Sequence, residues 1–272
     1  MIRGPAPAKI NLALVVGPLR ADGKHELLTL YQRVGLSDRI ELRVADRTGV
    51  EGYAGDTIVR DALELLAAHA ASPHRWHATI EKRIPVAAGL GGGSSDAATA
   101  LHLANGTLAE PVPREELLDL AGELGADVPF FLHDGPCLGS GDGTTLGQVD
   151  VPQDFWVVLA LPAGAAKPST AAVYAEFDAR QGADGWEERR TALLDALDRV
   201  RRPRDLAALP PNDLASSPLA AELRSLGAFR ADVSGAGPTV YGLFHHRATA
   251  QAAQRALKRS ARTWLTAPAW YG

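Results

Sequence analysis

The segment Gly89-Leu90-Gly91-Gly92-Gly93-Ser94-Ser95-Asp96, preceded by Pro85-Val86-Ala87-Ala88, places four glycines and two hydroxyls just before an alanine-rich stretch. Glycine lets a backbone approach an anion without a side chain in the way and adopts the positive φ angles of anion-binding nests. If the alanine-rich stretch is a helix, its unpaired N–H groups and positive dipole end favour the same ligand, so phosphate binding is the chemistry these residues suit. A plain turn before a capped helix would need one glycine, not four. Two well-known phosphate loops are excluded on spacing. No lysine follows Gly93, as a Walker A loop requires, and no third glycine falls where a dinucleotide fingerprint needs it. Countercharge for a triphosphate must therefore come from a metal ion or from side chains elsewhere in the chain.

The surrounding pattern is mixed. Asn11 to Val16 is an apolar run, and Ile40, Leu42 and Val44 alternate with charged residues, as strands do. Arg20-Ala21-Asp22-Gly23 has turn chemistry. Ile58, Ala62, Leu63, Leu66 and Ala70 recur at helical spacing, and Trp76, Ala78 and Ile80 return to the two-residue period. Ser94-Ser95-Asp96 supplies capping residues for a helix over Ala97 to Leu103. Another helix covers Leu117 to Leu124 and stops at Gly125. Phe155 to Leu161 and Thr239 to Phe244 read as buried strands, separated by a charged helical stretch from Trp186 to Arg204 whose arginines suit a solvated helix end. A composition shift near Asp150-Val151-Pro152 divides the chain into lobes of residues 1–151 and 152–272.

At 272 residues, 46% of them hydrophobic, the chain can fill two packed lobes. A formal net charge of −4 supplies no basic field to gather a nucleic acid. Cys137 is the single cysteine, which excludes an internal disulfide and a cysteine-cluster metal site, fits a reducing cytoplasm and reads as a buried thiol. Two prolines and Lys9 stand where a secretion signal needs an apolar core, and no apolar run approaches the roughly 20 residues that span a bilayer. The expectation is a cytoplasmic protein that binds neither membrane nor nucleic acid, monomeric or a weak homodimer.

Pro85 to Ala98 resembles the ATP loop of the GHMP kinases, which include galactokinase, homoserine kinase, mevalonate kinase and phosphomevalonate kinase; its Gly-Gly-Gly-Ser-Ser form is most similar to the diphosphocytidyl-methylerythritol kinases among them. Two more segments match in order. Pro7-Ala8-Lys9-Ile10-Asn11-Leu12 is similar to the family's N-terminal motif, and Asp232-Val233-Ser234-Gly235-Ala236-Gly237-Pro238-Thr239 to its C-terminal glycine motif. Pro211-Asn212-Asp213-Leu214 also resembles a family segment, without an evident role.

The resemblance implies an α+β, two-lobed fold. Its N-terminal lobe, like a ribosomal-protein fold, carries catalysis, and its C-terminal lobe is ferredoxin-like. It further implies transfer of phosphate from ATP, with Mg²⁺, to the 2-hydroxyl of an alcohol bearing cytidine diphosphate, in the non-mevalonate route to isoprenoid precursors. Asp127 would accept or orient the hydroxyl proton and Lys9 would keep it ionised and offset developing charge. Pro85, Val86, Ala87, Ala88, Gly89, Leu90, Gly91, Gly92, Gly93, Ser94 and Ser95 would hold ATP, with Ser95 a candidate metal ligand. Asn11, Lys24, His25, Thr170 and Tyr174 would hold the acceptor, and Ser234, Gly235 and Gly237 would sit beside the phosphates. Lys24 occupies a position where the family carries an aromatic ring. Read without the resemblance, Asp127 serves equally as a helix cap, Lys9 as a surface lysine, His25 as a turn residue and Tyr174 as core. The alternatives are a GHMP kinase acting on another alcohol such as homoserine, a silent nucleotide sensor and an RNA-binding module.

Overall fold

The computed structural model describes residues 1–53, 55, 58–164 and 169–269. It contains two compact units that interleave along the chain: Met1–Ala8, Leu36–Val86 and Gly91–Asp134 form one, and Lys9–Gly35, Ala87–Leu90 and Gly135–Gly272 form the other. Two long strands, β1 (Ile2–Leu19) and β2 (His25–Ala45), run through both. From Ala6 to Gly17 every residue of β1 is buried, Lys9 and Asn11 included, so neither face of the strand shows the alternation of a half-exposed one.

In the first unit, the second half of β2 pairs antiparallel with β4 (Arg75–Glu81), and β4 pairs parallel with β3 (Gly49–Glu51). Helices α1 (Ile58–His69) and α2 (Gly92–Asn105) pack on each other, and α3 (Arg114–Leu124) packs on both. The contact face of α1 is Val59, Ala62, Leu63, Leu66 and Ala67, at helical spacing. The alanines of α2, with Leu101, give that face a flat surface to approach. Trp76 is fully buried and still satisfies its indole N–H, which donates to Thr107 Oγ1 at 2.8 Å.

Helix α2 begins earlier than its serines suggest. Gly91, in the left-handed conformation, holds the cap position without a side-chain bond, and Ser94, Ser95 and Asp96 lie inside the helix. Asp96, the fifth residue of α2, pairs instead with Lys82, whose ammonium donates to it at 2.7 Å and to Asp38 at 2.5 Å. Asp38 also accepts the Arg83 and Ile84 N–H groups, at 2.5 and 2.8 Å, so one fully buried carboxylate fixes the three residues that lead into the glycine loop. Burial on its own would lower the Lys82 pKa, but Asp96 and Asp38 outweigh it and raise the group above its ordinary value.

In the second unit, the first half of β2 pairs with β5 (Cys137–Gly141) and β5 with β6 (Thr145–Gln148). A separate antiparallel sheet has the strand order β10-β7-β9-β8, formed by β7 (Trp156–Pro162), β8 (Arg230–Val233), β9 (Val240–Phe244) and β10 (Ala261–Thr266). Helices α4 (Thr170–Ala179), α5 (Trp186–Asp198) and α6 (Pro218–Ser225) lie between β7 and β8 in sequence, and α7 (Arg247–Leu257) between β9 and β10. This β-α-β-β-α-β arrangement is the ferredoxin-like plan. Its core is Val158, Val240 and Phe244 of the sheet against Leu223 of α6 and Ala250, Ala253 and Leu257 of α7. The charged stretch read as helical to Arg204 stops at Asp198; Pro203 opens a separate 3-10 turn, with Asp205 accepting the Arg201 and Arg202 N–H groups. Cys137 is buried, as its type suggests.

Removing Asp38 takes one of the two carboxylates from Lys82 and leaves the Arg83 and Ile84 N–H groups without their acceptor, and each buried donor left unsatisfied costs about 1–3 kcal/mol. Asp38→Ala is therefore expected to lower the urea midpoint sharply. Breaking the exposed Arg83–Glu81 pair with Glu81→Gln should leave the midpoint where it was. Equal midpoints for wild type and Asp38→Ala would refute this account.

Candidate active site

The loop from Pro85 to Ser95 takes left-handed backbone at every second residue: Ala87 (φ 54°), Gly89 (φ 79°) and Gly91 (φ 67°). Such alternation turns neighbouring N–H groups toward a common point, which is the geometry of an anion nest. Alanine pays a conformational penalty of roughly 1–2 kcal/mol there, so Ala87 must be held by its surroundings. Within the second unit they are explicit. The Leu90 carbonyl accepts the Lys9 N–H at 2.9 Å, the Ala88 carbonyl accepts the Thr239 N–H at 3.2 Å, and the Gly89 carbonyl accepts the Ser234 hydroxyl at 2.9 Å. A Cβ on Gly89 would sit 2.4 Å from the Ser234 carbonyl oxygen and 2.8 Å from that of Gly237, so only glycine fits. Pro85, Gly91, Gly92 and Ser94 are half-buried, Val86, Ala87 and Gly93 exposed, and Ala88 and Leu90 buried. The Ser95 hydroxyl is fully buried without a protein partner, at the start of α2.

Lys9 is buried on β1, and its ammonium donates to Asn11 Oδ1 at 2.8 Å. Asn11 Nδ2 donates to Thr29 Oγ1 at 2.8 Å, and that hydroxyl donates to the Ala13 carbonyl, also at 2.8 Å. The amide of Asn11 is thus engaged at both ends and acts as a strut for the lysine. Gly235, at positive φ, brings the C-terminal glycine motif to the same place: a Cβ there would lie 3.4 Å from Asn11 Oδ1 and 3.7 Å from Lys9 Nζ. In the first unit, Asp127 is half-buried in the turn before the 3-10 helix Pro129–Leu132. The cap position of that helix belongs to Val128, which makes no side-chain bond to the first turn.

A third group of residues, all in the second unit, lines a cavity of about 450 Å³ that includes Leu19, Lys24, His25, Asp142, Tyr174 and Asp178. His25 is buried. Its Nδ1 lies 2.8 Å from the Gly17 carbonyl oxygen, to which it donates, and its Nε2 lies 3.3 Å from Asp178 Oδ1. The His25 ring stacks on Tyr174 with centroids 5.0 Å apart, and Phe177 meets it edge-on at 5.7 Å. A base therefore cannot lie between His25 and Tyr174 as they stand, because two stacking distances need about 7 Å. Thr170 is the first residue of α4, exposed, one turn before Tyr174; Ser169 caps that helix by accepting the Ala172 N–H.

Several residues of these sites escape sequence reading. Asn212 donates to the Val233 and Gly235 carbonyls at 3.0 and 2.7 Å, which holds the glycine motif against Lys9. Asp213 accepts the Val16 N–H at 2.9 Å and Arg189 Nε at 3.0 Å; burial raises its pKa, and these donors offset that only in part. The Asn-Asp pair was visible, but its partners lie far away in the chain. Asp142 and Asp178 gave no signal of their own. Among the described residues, no cluster of three or more His, Cys, Asp or Glu could cage a metal ion. An ion bound here would depend mainly on ligand phosphates and water, as Mg²⁺ does, with the unpartnered Ser95 hydroxyl as a protein ligand.

Two family models match parts of this chain. The family model "GHMP kinases N terminal domain" matches residues 57–135, and "GHMP kinases C terminal" matches residues 213–263. A 4-diphosphocytidyl-2-C-methyl-D-erythritol kinase of Salinispora arenicola is 39% identical, over 90% of this chain and 84% of its own. One of Geobacter sulfurreducens is 35% identical over 96% of each. A crystal structure of a 4-(cytidine 5'-diphospho)-2C-methyl-D-erythritol kinase superposes with a TM-score of 0.80 at 32% identity, covering 98% of this chain and all of the other. With such identity sustained over nearly its whole length, the chain belongs to the 4-diphosphocytidyl-2-C-methyl-D-erythritol kinases, a family of GHMP kinases.

Proposed function

We propose that this chain transfers the terminal phosphoryl group of ATP to the 2-hydroxyl of 4-diphosphocytidyl-2-C-methyl-D-erythritol. Residues 1–151 would supply the catalytic lobe and residues 152–272 the lobe that helps hold the acceptor, in a cytoplasmic protein that works as a monomer or weak homodimer and needs neither nucleic acid nor membrane. No helix among the described residues is long and apolar enough to cross a membrane. The observation that carries the reading is the cavity at His25 and Tyr174, whose size and ring-lined wall suit a nucleobase. A kinase for homoserine would have no use for it.

Phosphoryl transfer needs positioning and charge neutralisation more than covalent help from the protein. In our reading the N–H groups around Ala87, Gly89 and Gly91, with Ser94, hold the phosphates, and Ser95 holds Mg²⁺. The metal, when bound, supplies charge neutralisation between the β- and γ-phosphates. Asp127 accepts or orients the proton of the acceptor hydroxyl, and Lys9, held by Asn11, stabilises charge on the oxygens being transferred. Ser234, Gly235 and Gly237 keep the loop and the lysine in register. His25, Lys24, Thr170 and Tyr174 hold the cytidine end.

Purified protein should release ADP from ATP with the cytidine-bearing alcohol and not with homoserine. Asp127→Asn should lower kcat by about 10²- to 10⁴-fold while ATP binding persists. Turnover of homoserine, or full activity in the variant, would overturn the acceptor or the base respectively. For the metal, Ser95→Ala should shift half-saturation by Mg²⁺ upward several-fold at fixed ATP. An unchanged Mg²⁺ titration would remove Ser95 from that role.

A further inference from the structure

We infer that Lys24 and Asp142 form a charged clasp at the cavity beside His25, in which Asp142 positions the lysine so that its ammonium meets an incoming cytidine diphosphate. This rests on the base-pocket reading above.

Lys24 is fixed at both ends. Its carbonyl accepts the Arg20 N–H at 2.7 Å, and its own N–H donates to Asp22 Oδ1 at 3.1 Å, which anchors the backbone in the turn between β1 and β2. Its ammonium meets Asp142 Oδ2 at 2.5 Å, although the side chain is 59% exposed and 118 residues separate the two. Asp142 is held in turn. Its Oδ1 accepts both the N–H of Thr144, at 3.2 Å, and the Thr144 hydroxyl, at 2.6 Å. Burial works to raise the Asp142 pKa, but the bonds from Lys24 and Thr144 outweigh it and hold the group at about 2. A group whose folded pKa is depressed keeps its contribution at all pH above the ordinary carboxylate range and loses it only as pH falls toward 2. The clasp is therefore fully charged through the neutral range.

Exposed ion pairs add little to fold stability. A lysine held in the lining of a cavity has a different effect, on what enters it. Both residues line the cavity, with Asp178 as a second carboxylate. Two carboxylates repel a diphosphate, and Lys24 neutralises one of them while presenting a cation to the phosphates or to the face of a base. A ring at this position would supply stacking alone. The clasp exchanges part of that stacking for charge, so affinity should depend on salt.

The test is calorimetric binding of cytidine diphosphate, without turnover, to wild type, Lys24→Arg, Lys24→Met and Asp142→Asn, and to the double variant, between 50 and 500 mM salt (roughly a threefold change in Debye length). Lys24→Met is expected to raise Kd about three- to tenfold at low salt and to flatten the salt dependence. Lys24→Arg should retain most of both. In the Asp142→Asn background the Met substitution should cost less, because the lysine is no longer positioned. If wild type binds and Lys24→Met matches it in Kd and salt slope, the clasp is wrong and the base pocket stands. Equal cost in both backgrounds refutes the positioning by Asp142. If wild type does not bind cytidine diphosphate at all, the base-pocket reading and the clasp fall together.

Discussion

Three consecutive carbonyls of the glycine loop, those of Ala88, Gly89 and Leu90, are each taken by a donor from a distant part of the chain: Thr239, Ser234 and Lys9. The rest of the site depends on this. A glycine-rich segment loses more backbone entropy on ordering than any other, on the order of 1–2 kcal/mol per residue. Left to itself it would sample many shapes and bind no phosphate well. Three hydrogen bonds, each worth about 1 kcal/mol net, offset much of that loss and leave the loop's N–H groups as its unused polarity. The same contacts hold Ala87 in a conformation that alanine otherwise avoids. The three motifs spread over more than 200 residues are thus one physical object, a loop and its two braces.

Lys9 shows how closely support and chemistry are joined. Its N–H braces the loop while its ammonium is oriented by Asn11, Thr29 and the Ala13 carbonyl in series. A buried ammonium is tolerable only where polar partners replace water, and this relay supplies part of that replacement. Asn212, which ties Gly235 beside the same lysine, extends the support by one more step. A substitution at Asn212 would therefore act on the lysine without touching any ligand.

The loop and its two braces were legible because glycine spacing and motif order leave local marks, and so were most strands and helices. The missing parts share a cause: their partners are remote. Nothing around Lys24 points to Asp142, and nothing around Asn212 points to Gly235. Burial of β1 on both faces erased the alternation that marks a strand edge, so only its centre was visible. The early start of α2 was hidden because a left-handed glycine, which leaves no side-chain signature, did the work expected of the serines. The stacking of Tyr174 on His25 was equally invisible, since helical spacing places Tyr174 on a face without saying what meets it.

That early start bears on the chemistry. Asp96 is the fifth residue of α2, past the first turn in which the helix dipole acts most strongly, yet it places a fully buried carboxylate near the end that suits an anion. A phosphate bound at the same helix end would then face a competing anion. Lys82 resolves the conflict: its ammonium neutralises Asp96 inside the protein, and Asp38 holds that ammonium from the other side. The N–H groups at the start of α2 are thereby left for an external anion. The Lys82 pairs and the start of α2 lie together in the first unit, where a half-buried lysine neutralises a protein carboxylate that would otherwise repel an anion at that helix end.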